Sequence, residues 1–141
     1  MVAGVPPIST QVSALAQANP AAAAVTCEGR TLTRAELSRR LEKILGKRPH
    51  LSPGGPARTA QIGVVTGGAG GEVAQAAAEG VDTFITGEGP HHSYTLAEEL
   101  GVNLFYGGHY ATETFGVKAL AAHVSRRYGV PWEFLDHPTG L

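Results

Sequence analysis

Three short apolar runs constrain this chain most, because each stops at glycine and leads into a stretch of helical character. Residues 60–66 (Ala-Gln-Ile-Gly-Val-Val-Thr) stop at Gly67-Gly68-Ala69-Gly70-Gly71. Residues 83–86 (Thr-Phe-Ile-Thr) stop at Gly87-Glu88-Gly89-Pro90-His91-His92, and residues 103–106 (Asn-Leu-Phe-Tyr) at Gly107-Gly108-His109. Apolar runs without polar alternation suit strands covered on both faces. Between them, the alanine-rich 72–79 and the stretch 93–100 read as helices stopped by Gly80 and Gly101, and 112–128 as a third helix. Residues 132–135 (Trp-Glu-Phe-Leu) read as a last short strand before Asp136-His137-Pro138. The alternation implies right-handed βαβ units. The expected fold is α/β: a single domain with a mostly parallel sheet flanked by helices, in the order β-α-β-α-β-α-β.

Upstream the pattern is less regular. Thr33-Arg34-Ala35-Glu36 matches a capping box, and Leu37, Leu41, Ile44 and Leu45 follow at helical spacing. Residues 33–46 are therefore an amphipathic helix. Residues 47–59 hold Pro49, Pro53, Gly54, Gly55 and Pro56 and read as a loop. Residues 1–8 are Pro/Gly-rich and read as a loose segment. Ser9 or Thr10 can cap a short helix through Val12, Leu15 and Ala16 that ends near Asn19-Pro20, and the end of 21–27 reads as a short strand.

Several function classes are disfavoured. The net charge is −1, so no basic footprint marks nucleic acid or an anionic membrane as a partner. Cys27 stands alone, which excludes an internal disulfide and a cysteine-based zinc cluster. No apolar run approaches the ~20 residues of a membrane span, and the amino terminus lacks the charged and apolar regions of a secretory signal. A reducing cytoplasm is the expected location.

In a parallel sheet the three glycine loops share the edge at the carboxyl ends of the strands, where open α/β proteins place their chemistry. His109 and Glu113 stand four residues apart at the start of the third helix, so both side chains share one face. An imidazole nitrogen and a carboxylate oxygen at that spacing can chelate one divalent metal; a capped helix start with exposed His and Glu is the alternative. The 67–71 loop fails the dinucleotide fingerprint because Val73 stands where Gly or Ala is needed, and no Lys-Ser/Thr pair makes it a P-loop. Its backbone around Gly68 and Gly70 can hold an anion such as phosphate, or can simply allow close strand–helix packing. Glu88, His91 and His92 form a second polar cluster on a backbone stiffened by Gly87, Gly89 and Pro90. They are either solvated loop residues or part of the mouth of the sheet. No Gly-x-Ser-x-Gly occurs, and His50, His123 and His137 lack ligand-like company.

Thr86-Gly87-Glu88 with His91-His92, followed by Gly108-His109-Tyr110-Ala111-Thr112-Glu113, resembles the carboxy-terminal half of the NIF3-like (DUF34) dinuclear metal proteins, the homologues of type 2 GTP cyclohydrolase I. The similarity runs from about residue 33 to 141. It implies a toroidal hexamer with a two-metal centre on each subunit, and His109 and Glu113 coincide with the two ligands that the carboxy-terminal half supplies. Glu88, His91 and His92 match a motif near that centre. The family's remaining ligands, a His pair and an Asp, have no counterpart here. Residues 1–32 read as an extension unlike the family and 33–141 as the family domain; residues 12–37 faintly resemble the opening of acyl-adenylate-forming ligases.

The resulting expectation is a NIF3-like metal-binding protein, truncated or hybrid, that keeps half of a dinuclear site. Its cofactor would be a divalent metal (zinc, iron or manganese), weakly bound because protein sites usually supply three or four ligands. Intact relatives would use such metals for hydrolysis of phosphate-type substrates. Expected partners are further copies of the chain and a small phosphate-containing ligand. The alternatives are a non-catalytic oligomeric interaction module and an anion- or nucleotide-binding domain.

Overall fold

The computed structural model describes residues 24–25 and 32–139. The helix expected through Val12 and Leu15 lies outside them. A five-stranded sheet forms the centre, built from β1 (Ala24–Val25), β3 (His50–Pro53), β5 (Ile62–Val64), β6 (Thr83–Thr86) and β7 (Asn103–Tyr106), in the spatial order β1-β5-β6-β7-β3. The middle three strands are parallel, with Gly63 opposite Phe84 and Phe84 opposite Leu104. An antiparallel strand closes each side: β1 on β5, β3 on β7. A separate two-stranded ladder joins β2 (Leu32–Thr33) to β4 (Arg58–Thr59).

The uninterrupted apolar runs explain how both faces are covered. Successive strand residues point to opposite faces. Phe84 and Leu104 face one side, where they pack with Val73, Ala76, Ala97 and Val102 under α2 (Val73–Ala78) and α3 (His92–Glu99). Ile85 and Phe105 face the other, where they meet Ile62 and Leu37 of α1 (Arg34–Leu45), with Leu41 and Leu51 partly buried around them. Leu104 and Phe105 are fully buried, and truncating either to Ala would cost about 2–5 kcal/mol.

The capping box reads as its sequence promises. The Thr33 hydroxyl accepts from Glu36 N at 3.2 Å, and Thr33 N donates to the Glu36 carboxylate at 2.8 Å. Those bonds hold the Glu36 carboxyl below its ordinary range. The last helix, α4 (His109–Tyr128), runs from the sheet edge and stops at Gly129 in the left-handed conformation.

Two expectations are corrected. Residues 132–135 form no strand; Leu135 is 80% exposed, and the Lys118 ammonium sits 4.1 Å from the centre of the Phe134 ring. The reason is topological: the outer side of β7 is already paired with β3. Residues 47–59, expected as loop throughout, supply β3 and β4. Pro53 closes β3 at the sheet border, where a missing N–H is tolerated. No helix among the described residues is long and apolar enough to cross a membrane.

Candidate metal centre

β7 runs out at Tyr106, and Gly107 and Gly108 turn the chain directly into α4. Gly108 adopts φ 96°, a conformation that side chains disfavour. Because the helix begins at His109 rather than three residues later, His109 and Glu113 are stacked on one helical face. Gly107 N and Gly108 N donate to Thr86 O and Gly87 O, each at 2.8 Å, which docks the helix start on the end of β6. A Cβ on Gly87 would lie 2.5 Å from Gly67 O and 2.7 Å from His109 Cα, so only glycine lets the three loops meet.

Two buried hydroxyls lock the junction. Thr112 Oγ1 accepts from Gly67 N at 3.0 Å and reaches Gly108 O at 3.0 Å. Thr86 Oγ1 contacts Ala69 N and Gly67 O, each at 3.2 Å. Neither residue stands out in the sequence as chemistry. The only available signal was a small polar side chain one helical turn beyond His109.

His109 Nδ1 and Glu88 Oε1 are 2.8 Å apart, and His109 Nε2 lies 3.3 Å from Glu113 Oε2. The Glu88 hydrogen bond is the main cause that holds the His109 pKa above its ordinary value; partial burial opposes it, and Glu113 adds attraction. When the neutral ring donates Nδ1–H to Glu88, its Nε2 lone pair confronts the Glu113 carboxylate. Two acceptors face each other, a contact relieved by a proton or a metal ion between them. Two donors each bound about 2.0–2.2 Å from one ion stand roughly 3–3.5 Å apart at right-angled to tetrahedral geometry. The Nε2–Oε2 spacing fits that bite.

Glu88 cannot serve as a third ligand on the same ion, because it occupies the opposite ring nitrogen. No group of three or more His, Cys, Asp or Glu suited to a metal occurs among the described residues. The residues present therefore fit one corner of a site, not a closed cage.

A sequence profile of the family described as Duf34/NIF3 (NGG1p interacting factor 3) matches residues 10–139. The chain belongs to the DUF34/NIF3 family. It is 44% identical over 102 residues to the GTP cyclohydrolase 1 type 2 homolog of Deinococcus radiodurans, covering 72% of this chain and 39% of the relative. The corresponding homolog of Halobacterium salinarum is 49% identical over 87 residues, covering 62% of this chain and 34% of the relative. The crystal structure of TTHA1606 from Thermus thermophilus superposes with a TM-score of 0.74 at 42% identity, covering 79% of this chain and 45% of that one. This NIF3-family chain thus spans less than half the length of these relatives. The matched region starts inside the segment 1–32, and Ala24–Val25 pairs with β5 of the family sheet.

The NIF3-family fold brings together His109, Glu113, Glu88 and the first glycines of the 67–71 loop. A Cβ on Gly68 would lie 3.7 Å from the His109 ring, and one on Gly67 2.7 Å from Glu113 Oε1. Gly70 packs elsewhere, against Gly89 and the Tyr106 hydroxyl. His91 and His92 are exposed at the start of α3, and no bond from either ring to this cluster occurs among the described residues. The loop's N–H groups are largely engaged: Gly67 N on Thr112, Ala69 N on Thr86 and Gly70 N on Glu88 O. That satisfaction favours the close-packing reading of the glycines over an anion cradle.

Proposed function

We propose that the chain is a metal-binding NIF3-family protein whose rim supplies two ligands, His109 Nε2 and Glu113, to one divalent ion. The observation that carries this is the 3.3 Å approach of two acceptors while Glu88 holds the far ring nitrogen. A carboxylate on the second nitrogen is the usual companion of a metal-bound histidine; it fixes the tautomer and raises the basicity of the free nitrogen. A divalent ion held there would supply a water of lowered pKa for attack on a phosphate-type ester. The chain's own part is orientation: Thr112 and the rim glycines set the helix start, and Glu88 sets the ring. Further ligands have to come from outside this pair, so affinity in the isolated chain is expected to be low enough for loss on dialysis. Zinc or manganese titrations by calorimetry test the reading. His109→Ala and Glu113→Ala should each abolish the heat of binding without changing the circular dichroism. Equal binding by all three proteins overturns it.

A second reading, a homo-oligomeric interaction module, draws on the rest of α4. Val117, Leu120, Val124 and Tyr128 continue the face of His109 and Glu113 and remain 39–71% exposed. An uncovered apolar stripe of this kind marks an interface. Sedimentation at micromolar concentration checks it: a monomer that persists at all concentrations removes the reading.

A further inference from the structure

A second concavity, on the opposite side of β7 from the central strands, has no part in the metal rim. It is a groove of about 610 Å³ between α1 and the edge strand β3. Its polar walls are Arg34 and Ser38 of α1 and Arg48 on the connection; Pro49 and His50 border it at the start of β3, and Ala35 and Leu51 add apolar surface. Among the described residues no carboxylate lines it.

The two guanidinium groups differ in how they are held. Arg34 is half-buried, and its Nη1 is shared among Pro53 O at 3.1 Å, Gly55 O at 3.3 Å and Asn103 Oδ1 at 3.3 Å. Asn103 is itself fully buried and donates to Pro56 O at 2.8 Å. The fork is therefore positioned before any ligand arrives, with Nε and Nη2 unengaged among the described residues. Arg48 is exposed and has neither an ion pair nor a hydrogen bond there. The ring of His50 lies against Tyr94 of α3 and Tyr106, on the sheet face away from α1, so it lends the groove no donor. Two planar forks and a hydroxyl, with no competing carboxylate among the described residues, are the chemistry of an oxyanion site. The volume lies in the range of small-molecule sites and exceeds what a bare anion fills.

We propose that this groove binds a small organic phosphate: Arg34 and Arg48 grip the phosphate, and its carbon body lies along Ala35 and Leu51. The site acts independently of any metal on the rim. Calorimetric titration of the full chain in excess EDTA, with phenyl phosphate and ribose 5-phosphate as probes, tests this. Both esters should bind with Kd below about 1 mM. Arg48→Gln should weaken them at least about tenfold, the effect of one lost charge-assisted hydrogen bond, with unchanged circular dichroism. Zinc titration of Arg48→Gln should match wild type, which separates this site from the rim. No binding of either ester at millimolar concentration, or equal binding by Arg48→Gln, overturns the proposal. So does inorganic phosphate binding as tightly as the esters, or ester binding that EDTA abolishes.

Discussion

The first turn of α4 and the rest of that helix obey opposite rules. The first turn carries polar residues, yet it is the anchored part: Thr112, 6% exposed, is the buried residue of the helix. The following turns carry Val117, Leu120 and Val124, yet these face solvent. Anchorage at the rim comes from glycine backbones in contact and from hydroxyls that satisfy N–H groups. Hydrophobicity farther along the helix is only half covered, with Val130, Pro131 and Trp132 beside it. One helix thus joins a rigid chemical edge to an open apolar surface, and substitutions should separate the two.

The sharpest break comes at Gly87. Gly87→Ala drives a Cβ into the Gly67 carbonyl and the backbone of His109, and neither can swing aside. Urea denaturation should show a loss of about 3 kcal/mol or more. A loss under about 1 kcal/mol would mean that the rim yields and is not the rigid end.

Thr112→Val comes next. It keeps the shape of the side chain and removes the acceptor for Gly67 N. Leaving that buried N–H without a partner should cost about 1–3 kcal/mol and lower zinc affinity with it. Unchanged affinity would dissociate the hydroxyl clamp from the site.

Glu88→Gln probes the ring. His109 titrates above its ordinary value chiefly because of the Glu88 hydrogen bond. A raised folded pKa means that the imidazolium stabilises the native state fully below the unfolded value of about 6.5. That contribution fades as pH rises through the raised value. The stability difference between wild type and Glu88→Gln should therefore be largest below the unfolded value and shrink as pH rises through the raised one, while the NMR titration of His109 moves down in the variant. Zinc binding should weaken about 10- to 100-fold through the lost orientation and fall as pH drops. A His109 titration that stays in place would break the assignment of Glu88.

Leu120→Ser should have the smallest effect on the monomer, within about 0.5 kcal/mol, because the residue is half exposed. Its effect should appear in sedimentation instead, as loss of the larger species. A fall in monomer stability comparable to that of Thr112→Val would erase the contrast between the two ends.

Much of this was legible in the sequence, for physical reasons that differ by element. The runs at Phe84–Ile85 and Leu104–Phe105 carry their double-sided burial in their composition, and the α1 cap is a local motif between Thr33 and Glu36. The pairing of His109 with Glu113 followed from helical spacing alone. The contact between Glu88 and His109 required knowing that two loops meet, which the parallel assignment made accessible. β3 was illegible: four residues bounded by Pro49 and ending on Pro53 carry no periodic signal, and their strand character comes from β7. The run at 132–135 has strand composition, but the outer side of β7 is already taken by β3. Thr86 and Thr112 stand inside the motif stretches, but their role in satisfying N–H groups from other loops leaves no signal in the sequence.

The pairing of β3 with β7 also sets a schedule. β3 is made early, and the strand that completes it is the last of the sheet to leave the ribosome. Until then His50–Pro53 has no partner along its length, while α1 and β5 are already present. Such a late, non-local closure slows folding and prolongs the life of an open strand edge. Pro49 and Pro53, one on each flank, then act as chaperones written into the chain, since neither can donate to an intruding strand.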